Sequence, residues 1–250
     1  MTELAPASWS ARLRAMTPAR VGLARTGVSQ GVRDHLEFQR AHAQARDAVH
    51  ASLESGALTK TLREVVDRKV MALHSRAADR AIYLQRPDLG RQLNEKSRAA
   101  LGEGPHGPFD LSIVIADGLS ALAVERHAAP LLRELLPRLD GWQLAPICVV
   151  EQGRVAIGDE IGETQKARLS VVLIGERPGL SSRDSLGAYV TWSPRVGRID
   201  AERNCVSNIR TEGLSYRQAA EQLSLYLMEA RRRQLTGIAL KVDSSMIGKE

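Results

Sequence analysis

Short, uninterrupted apolar runs dominate the chain after Pro108 and constrain its fold more than any other feature. The runs at 111–116, 144–150 and 169–174 alternate with stretches of helical period. Strands that are apolar throughout are typical of a mainly parallel sheet with helices on both faces. We therefore predict an α/β fold with a Rossmann-like or flavodoxin-like sheet.

The same region contains further predicted elements. A helix is predicted from Leu119 to Leu136, and Pro137 ends it. A strand is predicted over Ala188–Trp192, a long helix from Tyr216 to about Arg233, and a closing strand over Gly237–Val242.

The first part of the chain has a helical period instead. Apolar residues recur near every 3.6 positions over 32–49 and again over 62–73, which predicts a second helix that runs through Val70 and Leu73. The glycine- and proline-rich stretch Gly102–Pro108 then breaks the pattern. We predict a small all-helical domain over residues 1–104, followed by the sheet domain over residues 105–250.

Charge is distributed unevenly between these two parts. The chain of 250 residues has a net charge of +6, and residues 1–100 alone contribute +7. Of the 35 basic residues 29 are arginine, which forms planar paired contacts with carboxylates and phosphates. The arginine bias predicts an anionic or multi-subunit partner, or else reflects a GC-rich genome.

Composition excludes several classes of protein. Only two cysteines are present, Cys148 and Cys205, which is too few for a disulfide framework or a zinc knuckle. No apolar run approaches the ~18 residues that a membrane helix needs. We expect an internal, cytoplasmic protein.

The loops after the predicted strands are the places to search for a ligand site, because ligands of such sheets lie beyond the carboxyl ends of the strands. Asp117–Ser120, Gly153–Gly162 and Gly175–Gly179 each combine glycine with charge. The alternative is that these glycines make tight turns and the charges are solvated.

Familiar catalytic motifs are absent. The sequence lacks the glycine-rich dinucleotide motif, the phosphate-binding loop, the nucleophile elbow and the paired histidines of zinc proteases. Cys205 is either a nucleophile whose thiolate Arg203 stabilises or a small residue that is buried or lines a ligand. The sequence offers no identifiable general base for Cys205. We predict no catalytic residue and no metal-coordinating residue in this chain.

Six strings along the chain resemble the small subunit of ethanolamine ammonia-lyase, in order and at matching separations. The strings are Arg25–Gly27, Tyr83–Arg91, Ile115–Ser120, Gly153–Val155, Gly175–Leu180 and Cys205–Ile209. The match begins at about Arg20 and extends over nearly the whole chain, which makes the resemblance specific.

The resemblance implies an adenosylcobalamin-dependent lyase that converts ethanolamine to acetaldehyde and ammonia. In that family a large barrel subunit binds ethanolamine, the small subunit forms one wall of the cobalamin site, and the enzyme assembles as a hexamer of heterodimers. The cofactor performs the radical step, and the protein supplies binding and exclusion of water. This division agrees with the absence of catalytic motifs.

The family's small-subunit cobalamin contacts fall on Val155, Glu176 and Cys205. The motif of the class of cobalamin proteins in which histidine replaces the cofactor's base is absent, since Asp34 and His35 have the wrong spacing. The cobalt is therefore expected to keep its own dimethylbenzimidazole.

Two other functions remain open from the residues alone. One is a Rossmann-like enzyme with its own nucleotide site, and the other is a basic nucleic-acid-binding module, which the low aromatic content of 4% disfavours. The resemblance also suggests a location inside a bacterial microcompartment. Members found there often have a longer N-terminal extension, but Trp9, Leu13 and Met16 could form one face of a short encapsulation helix.

Overall fold

The computed structural model describes residues 9–241 except Pro18 and Ala24. It has an α/β fold built on one six-stranded mixed sheet, as the apolar runs predicted. The strands in chain order are β1 (Arg25–Thr26), β2 (Ser29–Gln30), β3 (Val70–His74), β4 (Phe109–Ala116), β5 (Ile147–Glu151), β6 (Ala167–Gly175), β7 (Leu186–Trp192) and β8 (Arg203–Ile209). Strands β1 and β2 form a separate short hairpin.

The described part of the chain contains eight α-helices. They are α1 (Trp9–Met16), α2 (Val32–His50), α3 (Ser55–Arg63), α4 (Arg80–Gln85), α5 (Glu95–Gly102), α6 (Ala121–Leu135), α7 (Ile157–Thr164) and α8 (Tyr216–Arg233). Among the described residues, none of these helices is both long and apolar enough to cross a bilayer.

The sheet order is β3-β5-β4-β6-β7-β8. Strands β3, β5, β4 and β6 are mutually parallel, whereas β7 is antiparallel to both β6 and β8. The carboxyl ends of β3, β5, β4, β6 and β8 therefore lie at one edge of the sheet, where β7 begins. We call this edge the carboxyl edge.

Successive side chains of the central strands point to opposite faces of the sheet, so the hydrophobic core consists of two clusters, one on each face. On β6, Leu169 and Leu173 belong to the cluster with α3, α6 and α8, and Val172 and Ile174 belong to the cluster with α5 and α7. Side chains that alternate in this way are buried on both sides because helices cover both faces.

Local sequence explains where the two longest covering helices begin. Ser120 caps α6, its hydroxyl accepting a hydrogen bond from the amide of Ala123 at 3.3 Å. Ser215 and Gln218 form a capping box at the start of α8. The predicted helices Leu119–Leu136 and Tyr216–Arg233 are thus confirmed within a few residues.

Two predicted elements are wrong. The predicted helix through Val70 and Leu73 is strand β3, which pairs in parallel with β5, because its short apolar run fits either period. Residues Gly237–Ala239 form a 3-10 helix instead of the closing strand, and Val242 lies outside the described residues. Strand β3 precedes residue 104, and the domain boundary proposed there remains a prediction.

Candidate functional site

The carboxyl edge collects the loops in which the sequence placed its candidate residues. The loop after β4 begins at Asp117, the loop after β5 leads through Gly153 to Val155, and the loop after β6 begins at Glu176. Asn208, near the end of β8, lies at the same edge, since Ile209 pairs with Leu186.

Glu176 spans from β6 across β7 to β8. Its carboxylate accepts hydrogen bonds from the Ser185 hydroxyl and from the amide of Asn208, the latter 3.3 Å from Oε2. A Cβ at Gly187 would lie 3.0 Å from Glu176 Oε1, so glycine there provides the room for the carboxylate. Glu176 is half-buried, which leaves part of the carboxylate at the surface.

Cys205 lies in β8 opposite Tyr189 of β7, and the two side chains share a hydrogen bond. Desolvation raises the pKa of the Cys205 thiol; the hydrogen bond with Tyr189 opposes this shift and the charge of Glu176 adds to it. Cys205 is exposed, yet its thiol is held in the neutral form. This electrostatic environment disfavours a nucleophile and suits a neutral residue that lines a ligand.

Arg203 does not serve as the stabilising partner that the sequence suggested for Cys205. Its guanidinium forms a buried bidentate pair with Asp159, with distances of 2.8 and 2.6 Å, and also donates to the Thr191 hydroxyl. This pair joins β8 to α7 and is structural.

Val155 precedes α7 and packs against the apolar cluster on the α7 face of the sheet. Tyr189 packs against the same cluster. Tyr189 lies beside Cys205 and the charge of Glu176 reaches Cys205, so the three predicted residues lie on the α7 side of the sheet, with Val155 and Glu176 in loops at its carboxyl edge. We call this region, with Tyr189 included, the edge wall.

Sequence reasoning missed Tyr189, Gly187 and Asn208. The run Ala188–Trp192 predicts the strand that contains Tyr189, but only the β7–β8 register places its side chain beside Cys205. Asn208 has φ +59°, a conformation that asparagine tolerates better than most residues. A polar residue at the end of a strand was the signal available for it.

A positively charged groove of about 600 Å³ opens at the same edge, between α2 and the loops after β4, β5 and β6. Its lining includes Arg46, Arg154 and Arg177 together with His42 and His50. No acidic residue is among the described residues that line it. An anionic group is the complementary occupant.

The edge wall offers binding groups and no catalytic constellation of its own. Among residues 9–241, apart from the two undescribed positions, no group of three or more His, Cys, Asp or Glu side chains is arranged to hold a metal ion. The fold and site therefore define a class of protein: an α/β protein with a partly exposed candidate binding surface at the carboxyl edge of its sheet.

Comparison with known proteins supplies the family. The family model for ethanolamine ammonia-lyase light chain (EutC) matches residues 7–241. The chain belongs to this family.

Curated relatives cover almost the same range. The chain is 56% identical over 239 residues to the ethanolamine ammonia-lyase small subunit of Pseudomonas aeruginosa strain LESB58, an alignment that covers 94% of this chain and 87% of the relative. It is 54% identical over 247 residues to the small subunit of Xanthomonas campestris pv. campestris strain ATCC 33913, covering 96% and 90%. The small subunit of Pseudomonas syringae pv. tomato strain DC3000 is 53% identical over 247 residues, covering 97% and 86%.

Proposed function

We propose that this chain is the small subunit of an adenosylcobalamin-dependent ethanolamine ammonia-lyase, in which the edge wall forms one side of the cobalamin site. The observation that supports the proposal is that Val155 and Tyr189 pack on the α7 face of the sheet, while Cys205 lies beside Tyr189 and within reach of the charge of Glu176. Because the chain belongs to this family, we prefer this function to the two alternatives, a nucleotide-binding enzyme and a nucleic-acid-binding module.

The chemistry of the edge wall fits a corrin ring. A corrin is a broad apolar macrocycle bordered by amide side chains, so it requires flat neutral surface and hydrogen-bond acceptors. Val155, Tyr189 and the neutral thiol of Cys205 provide the first. Glu176 provides the second, because a carboxylate accepts up to about four hydrogen bonds and remains partly exposed here.

The residues of this chain bind and orient, and the reaction takes place outside it. When bound, adenosylcobalamin supplies a carbon radical by homolysis of its cobalt–carbon bond. Ethanolamine is assigned to the large subunit, where its conversion to acetaldehyde and ammonia occurs. On this chain, the edge wall holds the cofactor's position and excludes water from that side.

No histidine of the edge wall competes for the cobalt. None of the four edge-wall residues is a histidine: His42 and His50 line the neighbouring groove, and His106 and His127 contact other partners. We propose that the cofactor keeps dimethylbenzimidazole as its lower ligand.

Helix α2 is the proposed docking face for the large subunit. Only Ala41 and Ala48 of its 19 residues are buried. Val32 and Leu36, one helical turn apart, are 75% and 56% exposed and form an apolar pair that we call the α2 stripe; Val28, in the turn between β1 and β2, is 97% exposed. A helix this poorly covered gains stability mainly by packing against another chain.

The groove beside α2 adds charge to this docking face. Arg46 and Arg177 make no ion pair with any described residue, although both line the groove. Acidic side chains of the large subunit are the proposed partners, and a hexamer of heterodimers is the proposed assembly. Contacts of this kind direct association and specificity.

Localisation in a microcompartment remains a proposal based on α1. Trp9, Leu13 and Met16 lie on this eight-residue helix and are all exposed, Trp9 by 71% and Met16 by 82%. An exposed apolar face is suited to a partner helix.

Reconstitution tests the proposed function. The chain mixed with its large subunit should deaminate ethanolamine in the presence of adenosylcobalamin, and neither subunit alone should do so. In the complex, Glu176→Gln should weaken equilibrium binding of hydroxocobalamin about tenfold. The amide side chain is uncharged and has only one oxygen that accepts hydrogen bonds, whereas the carboxylate has two. The matched control is Glu103→Gln at an exposed position outside the edge wall, which should leave binding unchanged.

Two results would contradict the proposal. One is ethanolamine deamination by the large subunit alone at the rate of the complex. The other is equal hydroxocobalamin affinity in the wild-type, Glu176→Gln and Glu103→Gln complexes.

A further inference from the structure

Two of the strings that resemble the family have no role in the edge wall. These are Tyr83–Arg91, in and after α4, and Ile115–Ser120, which contains Asp117. Both converge on the segment Gln152–Val155, which we call the edge loop. Their contacts explain how this loop is held.

Asp117 is fully buried at the end of β4 and binds the backbone of the edge loop directly. Its Oδ2 accepts the amide hydrogen of Gln152 and its Oδ1 accepts that of Gly153, both at 3.0 Å. Gln152 has φ +55°, which is unfavourable for a residue with a side chain. Two successive amides fixed on one carboxylate hold Gln152 in that conformation.

Arg80 is buried beside Asp117 and joins three segments of the chain. Its Nη1 lies 3.6 Å from Asp117 Oδ2 and donates to the Gly118 carbonyl at 2.8 Å. The same nitrogen lies 3.4 Å from Gln152 Oε1, and Nε donates to the Val49 carbonyl in the last turn of α2 at 2.6 Å. One guanidinium therefore links α2 to the loops after β4 and β5.

Tyr83 holds the next part of the edge loop. Its hydroxyl donates to the Gly153 carbonyl at 3.2 Å, and the guanidinium of Arg154 stacks on its ring at 4.2 Å. The amide of Arg154 donates to the Gly90 carbonyl at 2.7 Å. A Cβ at Gly90 would lie only 2.8 Å from Arg154 Cγ, so glycine is needed for this approach.

Three amides and one carbonyl of the edge loop are therefore bound by partners from α4, from the segment after it and from the end of β4. A buried ion pair is an inefficient way to stabilise a fold, because apolar residues of similar volume often stabilise as well or better. Its advantage is geometric, since it selects one conformation of the loop it binds.

We infer that Asp117 and Arg80 are positioning residues for the cofactor site, which hold the edge loop so that Val155 faces the corrin. The inference rests on the proposed function. Neither side chain touches the cofactor, and both act through the backbone of residues 152 and 153.

The test uses the complex of both subunits and three variants. Asp117→Asn replaces one acceptor oxygen by an NH₂ group that faces a backbone N–H. Arg80→Lys keeps the positive charge but removes the planar guanidinium with its several N–H donors. Tyr83→Phe removes only the hydrogen bond to the Gly153 carbonyl. The control is Asp88→Asn, which breaks an exposed ion pair with Arg86 within the segment that follows α4.

Two readouts separate positioning from a structural role. In the cofactor-free complex, amide hydrogen exchange at Gln152 and Gly153 should accelerate at least tenfold in Asp117→Asn. The KM for adenosylcobalamin and the dissociation constant of hydroxocobalamin should rise about tenfold, while kcat at saturating cofactor stays within about twofold. Arg80→Lys should show a smaller rise in both binding constants, Tyr83→Phe the smallest, and Asp88→Asn none.

The inference is overturned if exchange accelerates while both binding constants stay at the wild-type value, or if kcat falls and KM does not change. If Asp117→Asn fails to assemble, the same criteria apply to Arg80→Lys and Tyr83→Phe. The Glu176→Gln variant distinguishes a failure of this inference from a failure of the proposed function. If it weakens hydroxocobalamin binding and the positioning variants do not, the inference fails and the proposed function stands; if it does not, the proposed function itself fails.

Discussion

The sheet core and helix α2 differ sharply in how much of each is buried. Strand β4 has seven of its eight residues buried and β6 eight of nine, whereas α2 buries two alanines in 19 residues. Apolar burial stabilises by about 25 cal/mol per Å², so the core supplies its own stability and α2 does not. The difference supports the proposal that α2 packs against a partner, whereas the sheet is stabilised by its own core.

Removal of residues 1–50 should produce the largest effect. Without α1, β1, β2 and α2, the chain should no longer co-elute with the large subunit in size-exclusion chromatography, because the proposed docking face is gone. The cut falls after His50 because Leu58 of α3 and Val70 of β3 belong to the core.

The truncated chain should still unfold in one cooperative transition. Co-elution with the large subunit at full stoichiometry would mean that the docking role of α2 is wrong, and the arginine excess would then be attributed to genomic bias.

A core substitution should destabilise the chain where an α2 substitution does not. Leu173 is fully buried in β6, and Leu173→Ala should lower the free energy of unfolding by about 2–5 kcal/mol. Leu36→Ala, at a position 56% exposed, should change it by less than ~0.5 kcal/mol. Denaturant unfolding followed by tryptophan fluorescence measures both, since Trp142 and Trp192 pack against the core. Equal losses would remove the contrast between the two regions.

Charge on the α2 stripe should weaken assembly without affecting the fold. Val32→Asp combined with Leu36→Asp places two carboxylates in the proposed interface, and the dissociation constant of the two subunits should rise at least tenfold. Ile238→Asp is the control, because Ile238 is 81% exposed and lies far along the chain from α2. A calorimetric titration of one subunit into the other gives the constants, and an equal loss in the control would argue against a localised interface.

The smallest expected effect is a pH dependence of cofactor binding. Burial raises the pKa of Asp117 to about 6, against the hydrogen bonds from Gln152 and Gly153 and the charge of Arg80. Tyr83, whose pKa is raised by burial, also faces it, and Arg154 lies beside Tyr83 and Arg80. As the pH falls from 7 to 5, Asp117 gains a proton and loses acceptor capacity towards the edge loop.

The dissociation constant of hydroxocobalamin in the complex should therefore rise about tenfold between pH 7 and pH 5. In Asp117→Asn the same profile should be flat and weak throughout. A flat wild-type profile, or an identical step in the variant, would show that Asp117 does not control the loop by its charge.

Much of the fold is predictable because burial leaves a strong pattern. The apolar runs predict β4, β5, β6 and β7, since strands covered on both faces contain few polar residues. Strand β8 escapes prediction because it is an edge strand with a largely polar sequence, Arg203–Ile209. Strand β3 escapes because five residues are too few to separate a period of two from one of 3.6.

The site is less predictable than the fold, for a physical reason. The resemblance supplies Val155, Glu176 and Cys205, whereas Tyr189 joins them only through the register of β7 with β8. Arg80 and Asp117 are 37 positions apart and both charged, so sequence pattern alone assigns them to the surface. The fold buries them together because parallel strands bring distant loops to the same edge.

Alkylation of Cys205 is the most direct test of the edge wall as a cobalamin surface. The chain has two cysteines, of which Cys205 is exposed and Cys148 is buried, so Cys148 serves as the internal control. The rate of N-ethylmaleimide labelling is measured by mass spectrometry in the two-subunit complex with and without saturating cyanocobalamin. The account predicts labelling of Cys205 in the cofactor-free complex and strong protection when cobalamin is bound. Equal labelling rates in the two samples would contradict it.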